Sequence, residues 1–317
     1  ATWRSSPIQM GIPSLSIGEN PDERDGNRWR SSRFCKPGSY ARAEITTPRG
    51  EEAAFMNLNL NGLTALVTAS TGGIGLEIAR SLAIEGARVI VNGRTQSNVE
   101  KALTELRRDL SSADLVGLAA DNGTAGGCVT TLSTWSQVDI LVNNLGIYEA
   151  IGFFDETDGA WQKMFEINIM SGVRLARQYL KGMLERGHGR IVFISSESGI
   201  SPAPEMAHYS ATKTMQLGIA RSLAELTKGT KVTVNSVLPG PTRTEGVEKF
   251  IQDVFPGLTQ AEAECRFIAE NRPTSLIGRL IDPREIGDIV AFVCSARASV
   301  INGSCIRAEG GLVRTIC

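Results

Sequence analysis

Tyr209 and Lys213 stand four residues apart in HYSATK (208–213). On a helix, residues at that spacing project from one face on successive turns. An ammonium held near a phenol favours the phenolate and lowers its pKa. A tyrosine tuned in this way can exchange a proton with an alcohol or ketone oxygen near neutral pH. By itself the pair is equally what an exposed helix face looks like. Thirteen residues earlier, Ser196 ends the apolar run RIVFISS. A hydroxyl at the end of a strand can hydrogen-bond a substrate oxygen or simply tie down a loop. A third feature is the glycine-rich stretch TASTGGIG (68–75), directly after the apolar run LTALVT. Helix N-terminal N–H groups beside small residues admit a pyrophosphate, although a tight strand–helix turn has the same look.

These groups need a scaffold that brings turn, strand end and helix together. Strand-like runs fall at 63–68, 88–91, 115–120, 138–143, 190–195 and 231–237, with helical stretches between them. Ile74, Ile78 and Leu82 share one helical face, and Gly86 stands where that helix would stop. Ser97 with Glu100 has the form of a capping box ahead of Val99, Leu103, Leu106 and Leu110. Continuous apolar strands alternating with helices predict a parallel sheet covered on both faces, an α/β doubly wound fold. In that fold the first strand-to-helix turn faces the ligand at the carboxyl ends of the strands.

Composition narrows the functional classes. The 317 residues are 42% apolar and 21% charged, as in a soluble globular chain. A net charge of −1 gives no electrostatic basis for nucleic acid or an anionic membrane. Only His188 and His208 are present, which argues against a histidine metal site or a serine–histidine hydrolase. Six cysteines without a CxxC pair favour reduced thiols and a cytoplasmic protein. Residues 1–55 mix arginine, serine, glycine and acids without apolar period, so a disordered or start-site extension is expected there. Met56 opens MNLNLNGLTALVTAS, and one domain is expected over 56–317.

TASTGGIG (68–75), DILVNNLG (139–146), EIN (166–168), ISS (194–196), YSATK (209–213), NSVLPGPTRT (235–244) and AEGG (308–311) follow one another in order. Together they resemble the short-chain dehydrogenase/reductase family, in particular its bacterial 3-oxoacyl-reductase-like members, over essentially all of 57–313. The resemblance implies a Rossmann-type sheet of about seven parallel strands, a nicotinamide cofactor and a homodimer or homotetramer. It implies that Asn168, Ser196, Tyr209 and Lys213 are catalytic. Tyr209 would be the general acid, Ser196 would polarise the carbonyl, and Lys213 would tune Tyr209 and bind the nicotinamide ribose. Asn168 would hold a helix irregularity and a water. The cofactor would meet Ala69, Ser70, Thr71, Gly73, Ile74 and Gly75 in the turn, Asn144 and Gly146 on the adenosine side, and Asp121 and Asn122 at the adenine. Pro239, Gly240, Thr242 and Thr244 would border the nicotinamide.

Ala69 departs from the family's glycine, and a negative φ is expected there. Leu145 and Glu309 depart in size only. Where NAD-preferring relatives carry an acid after the second strand, this chain has Gly93, expected to leave space, then Arg94. A guanidinium there suits a 2′-phosphate, so NADP is favoured over NAD. Gly72 takes the position of a second basic residue found in many NADP-preferring relatives. The segment 245–280 is expected to cover a pocket flanked by Ile147, Tyr148, Met206, Ser198 and Glu197, the last either meeting a polar group or solvated. The implied reaction is hydride transfer between nicotinamide and a small-molecule carbonyl or secondary alcohol. Alternatives on the same scaffold are a nucleotide-binding regulator and a lyase or epimerase.

Overall fold

The computed structural model describes residues 57–316, so the expectation about 1–55 lies outside the described residues. Seven strands form one parallel sheet: β1 (Thr64–Val67), β2 (Arg88–Gly93), β3 (Leu115–Ala119), β4 (Ile140–Asn143), β5 (His188–Ile194), β6 (Lys231–Pro239) and β7 (Cys305–Ala308). Their spatial order is β3-β2-β1-β4-β5-β6-β7. After β3 the chain crosses back past β1, so the order reverses between β1 and β4. A crevice opens above the carboxyl ends of strands at such a reversal. Val67 pairs with Val142 there, which sets the turn after β1 beside the loop after β4.

Alternation within each strand explains why the runs are mostly apolar at every position. Ala65, Val67, Val89, Val91 and Val142 bury against α1 (Gly73–Ile84), α2 (Gln96–Asp109) and α9 (Pro283–Cys294). Leu66, Ile90, Leu141 and Ile191 face the other way, against α3 (Ala125–Thr134), α5 (Ser171–Arg186) and α6 (Ala207–Glu225). With no wet face, a polar residue at these positions needs hydrogen-bond partners inside the protein. The helix α4 (Asp158–Phe165) runs into α5 through one π-helical turn, Glu166–Met170. A third apolar cluster joins α7 (Glu245–Val254) and α8 (Gln260–Asn271) through Ile251, Ala263, Phe267 and Ile268.

Two local expectations are corrected, and a seventh strand is located. Thr95, not Ser97, caps α2: its φ of −127° is extended and its hydroxyl accepts from the Asn98 N–H at 3.3 Å. Ser97 already lies inside the helix, and Glu100 accepts instead from Gln96 Nε2 at 3.0 Å. The strand β7 shows no period because it is only CIRA, with Arg307 in it; it exists by pairing with Ser236–Pro239 of β6. Cys128, Cys294 and Cys305 are free thiols, but Cys265 is disulfide-bonded, so the expectation of reduced cysteines fails at that residue. Among the described residues, no helix is long and apolar enough to cross a membrane.

Candidate active site

The turn after β1 is built by hydrogen bonds from its neighbours. Ala69 N–H donates to Asn92 Oδ1 at 3.2 Å, and its carbonyl accepts from Asn144 Nδ2 at 3.1 Å. Ser70 Oγ donates to the Val67 carbonyl at 2.7 Å and accepts from Asn92 N–H at 2.9 Å. The Ser70 hydroxyl is therefore committed inside the protein. This clamp holds Ala69 at φ +51°, which overturns the expectation of a negative angle. Alanine is tolerated because the surrounding bonds over-determine the backbone, at a cost in strain. At Gly75 a Cβ would lie 2.5 Å from both the Ala69 carbonyl and Asn144 Nδ2, so only glycine fits. Gly72 is different: a Cβ there would meet nothing within 4 Å.

The end of β2 is more crowded than its glycine suggests. A Cβ on Gly93 would sit 2.4 Å from the Thr71 methyl, so the space expected there is filled. Arg94 follows and is exposed. Beyond β3, Asp121 Oδ1 accepts from Gly123 N–H at 3.1 Å. Asn122 is buried, donating to Asn92 Oδ1 at 3.0 Å and accepting from Thr131 Oγ1 at 2.7 Å. Like Ser70, it offers only its backbone to a ligand. Beyond β4, the N–H groups of Asn144 and Leu145 donate to Thr68 Oγ1 at 2.9 and 3.0 Å. A Cβ on Gly146 would come within 3.4 Å of Lys213 Nζ, which puts this loop against the lysine.

Tyr209 and Lys213 occupy the first turns of α6, with Nζ 5.5 Å from the phenol ring centroid. Lys213 Nζ donates to the Ile194 carbonyl at 2.9 Å and to Gln216 Oε1 at 3.3 Å. Gln216 Nε2 in turn donates to the Asn168 carbonyl at 2.9 Å. Asn168 sits in the π-helical turn, where its side chain exchanges hydrogen bonds with the Ile147 backbone at 2.8 and 3.0 Å and donates to Thr212 Oγ1 at 3.1 Å. Ser196 follows β5. Its hydroxyl accepts from Ser198 N–H at 3.1 Å and donates to the Glu197 carboxylate.

Glu197 is buried, so the solvated alternative is set aside. Burial pushes its carboxyl up, against the Ser196 hydrogen bond and the charge of Arg272. Burial also pushes the Tyr209 phenol up, with the Glu197 charge adding to it and a Ser196 hydrogen bond opposing. The expected lowering by Lys213 does not operate in this state, because the ammonium is directed at Ile194 and Gln216 rather than at the phenol oxygen. Lys213 itself is pulled down to about 8 by burial, with Glu197 opposing.

These groups face one cleft of about 210 Å³. Ile74, Pro239, Gly240, Thr242 and Thr244 form the wall toward the glycine turn, and Val247 and Phe250 of α7, Phe267 of α8 and Arg272 just after it line the rest. The segment 245–280 thus covers the pocket as expected. The Thr242 hydroxyl is tied to the Gly240 carbonyl at 2.9 Å, and Thr244 caps α7 by accepting from Val247 N–H at 3.3 Å. A nicotinamide dinucleotide fits these residues: the α1 N-terminus carries no side chain at Gly72 and Gly73, and Ser196 and Tyr209 line the cleft beyond it.

The sequence model of the family described as short chain dehydrogenase matches residues 63–254. The chain belongs to the short-chain dehydrogenase family. It is therefore an oxidoreductase of alcohol and carbonyl groups that uses a nicotinamide cofactor. The uncharacterised oxidoreductase YvaG of Bacillus subtilis (strain 168) is 56% identical over 263 residues, 82% of this chain and 100% of that one. Dehydrogenase/reductase SDR family member 4 of Bos taurus is 34% identical over 257 residues, 80% of this chain and 88% of that one. Among solved structures, L-sorbose reductase from Gluconobacter frateurii, complexed with NADPH and L-sorbose, superposes with a TM-score of 0.77 at 28% identity, covering 82% of this chain and 100% of that one.

Several site residues of this short-chain dehydrogenase escaped the sequence reading. Gln216, three residues after Lys213, was visible as a polar residue on the same helical face. Asn92 organises the turn but carries no motif of its own, and Thr68, which opens the TASTGGIG stretch, was not singled out. Arg272 reaches the cleft only because α8 folds back over it.

Proposed function

We propose that this short-chain dehydrogenase is an NADP(H)-dependent carbonyl reductase in which Tyr209 is the general acid. The observation that carries the reading is that Ser196 and Tyr209 line one cleft beside the glycine turn, with Lys213 beside the Tyr209 ring and linked through Gln216 to the Asn168 carbonyl. The cofactor, when bound, supplies the hydride. Tyr209, kept neutral by burial, donates its hydroxyl proton to the carbonyl oxygen. Ser196 turns its hydrogen from Glu197 to the same oxygen and polarises the carbonyl. Lys213, Gln216 and the Asn168 carbonyl form a fixed hydrogen-bonded chain behind Tyr209 that holds the lysine charge in place. Run backwards, the same groups oxidise an alcohol, with Tyr209 accepting the proton.

Exposed Arg94 and the lack of an acid at Gly93 support NADP over NAD, as does the NADPH bound to L-sorbose reductase. A charge-assisted contact to the 2′-phosphate is worth roughly 1.5–3 kcal/mol, or about ten- to a hundred-fold in binding. Reduction and oxidation of a ketone and alcohol panel with both cofactors tests the reading. NADPH should exceed NADH by at least about tenfold in kcat/KM, and Arg94→Ala should erase most of that difference by weakening NADPH alone. Equal loss with both cofactors would remove Arg94 from this role. A homodimer or homotetramer in the cytoplasm completes the proposal: α4 and α6 expose Trp161, Phe165 and Met215, apolar area suited to a partner. A monomer in sedimentation at micromolar concentration would refute it.

A further inference from the structure

Glu197 is a buried carboxylate in the wall of the catalytic cleft, and nothing in the chemistry above requires it. It touches the reacting position, because the Ser196 hydroxyl that must serve the substrate donates to it in the free protein. When Ser196 turns its hydrogen to a carbonyl oxygen, Glu197 loses that donor. A buried acceptor left without a donor is costly, so the substrate that replaces the lost hydrogen is preferred. The charges nearby decide what kind of donor it is. Arg272 lies in the same wall and acts on Glu197 electrostatically, and Lys213 feels Glu197 in turn. A cationic group would meet both of those cations, and an anionic group would meet Glu197. A neutral hydroxyl meets neither penalty.

We infer that Glu197 is a specificity-determining residue that selects carbonyl substrates with a hydroxyl on the adjacent carbon. The geometry is that of a matched pair. Ser196 Oγ and the Glu197 carboxylate are hydrogen-bonded neighbours, and the two oxygens of an α-hydroxy ketone are separated by a similar distance, about 2.7 Å. One substrate oxygen lies on Ser196 and Tyr209 while its neighbour donates to Glu197. Phe250 and Phe267 line the same cleft and supply apolar surface for the carbon skeleton. In the reverse direction the same pair selects vicinal diols. A site built to hydrogen-bond a substrate hydroxyl rejects the analogue that lacks it more strongly than an apolar pocket rejects an extra group.

This inference rests on the carbonyl-reductase reading, and the test separates the two. Hydroxyacetone and butanone are nearly isosteric and differ in a hydroxyl against a methyl. Their kcat/KM values with NADPH are measured for wild type, Glu197→Ala and Glu197→Gln. Wild type should prefer hydroxyacetone by at least about tenfold. Glu197→Ala affects both ketones through Ser196, but the ratio between them should collapse to within about threefold. Glu197→Gln should keep part of the ratio, because its amide oxygen still accepts. Calorimetric binding of hydroxyacetone to Tyr209→Phe with bound NADP should weaken when Glu197→Ala is added. A wild-type ratio near one overturns the inference, and so does an equal loss on both ketones in Glu197→Ala. Turnover of other carbonyls but of neither test ketone also overturns it while sparing the reductase reading. No turnover of any carbonyl with either cofactor overturns both.

Discussion

Ala69→Gly isolates the strain stored in the cofactor turn. Ala69 is held at φ +51° by bonds from Asn92 and Asn144. For an L-residue, the left-handed region costs roughly 1–2 kcal/mol. Glycine removes that cost but loses more freedom on folding, roughly 0.4–1 kcal/mol. The terms oppose, and their difference favours the glycine variant by about 0 to 1.6 kcal/mol. In a domain of this size, 1 kcal/mol moves Tm by about 2–4 °C. Differential scanning calorimetry without cofactor should therefore show a rise of about 2–3 °C for Ala69→Gly. Ala69→Val should lose about 1 kcal/mol or more, because a β-branched residue is a true outlier at this angle. Cofactor affinity measured by calorimetry in the glycine variant should match wild type, since the clamping bonds involve only backbone atoms of residue 69. A drop of more than about 2 °C in Ala69→Gly would refute the reasoning. It would mean that the alanine methyl packs well enough to outweigh its strained backbone.

Tyr209→Phe should keep cofactor binding and Tm while turnover falls by at least about 10²-fold; activity within a few-fold of wild type would remove Tyr209 from proton transfer. Gly93→Asp should lower Tm, because the new Cβ meets the Thr71 methyl at 2.4 Å. Adding Thr71→Ser should recover Tm and shift preference toward NADH, and no recovery would show that the backbone, not that methyl, fills the space. Lys213 is pulled down to about 8 in the folded protein, whereas an unfolded lysine titrates near about 10.4. Between those values the unfolded chain binds more protons, so stability from this group rises as pH climbs from about 8 toward 10, and its burial cost is fully present below about 8. The Tm of wild type relative to Lys213→Met should rise across that window, and a flat difference would contradict the buried, proton-poor lysine.

The chemistry of this protein was legible in its sequence where function is local. Tyr209 and Lys213 lie one helical turn apart, so their shared face follows from spacing alone. The apolar runs of β1, β2, β4, β5 and β6 announce a sheet buried on both faces, because nearly every position along them past the first residue is out of water. Arg94 follows directly from the end of β2, and the seven motifs in order identify the family. Short elements without period were not legible. The four residues of β7 become a strand only because β6 offers an edge.

Only the tertiary structure decided what lies between segments distant in the chain. Asn92 and Asn144, 23 and 75 residues from Ala69, set the sign of its φ. No local preference of alanine predicts that angle, because long-range hydrogen bonds override it. Thr71 fills the space beside Gly93 because the turn folds back over β2. Glu197 is charged by type and next to a loop, which argues for solvent, yet the fold buries it with its carboxylate accepting from the Ser196 hydroxyl. Burial likewise pushes the Tyr209 phenol up, where spacing alone led to an expected lowering by Lys213. A side chain's pKa depends on how much water remains around it and on where a neighbour's charge is aimed, and both are set by packing rather than by spacing along the chain.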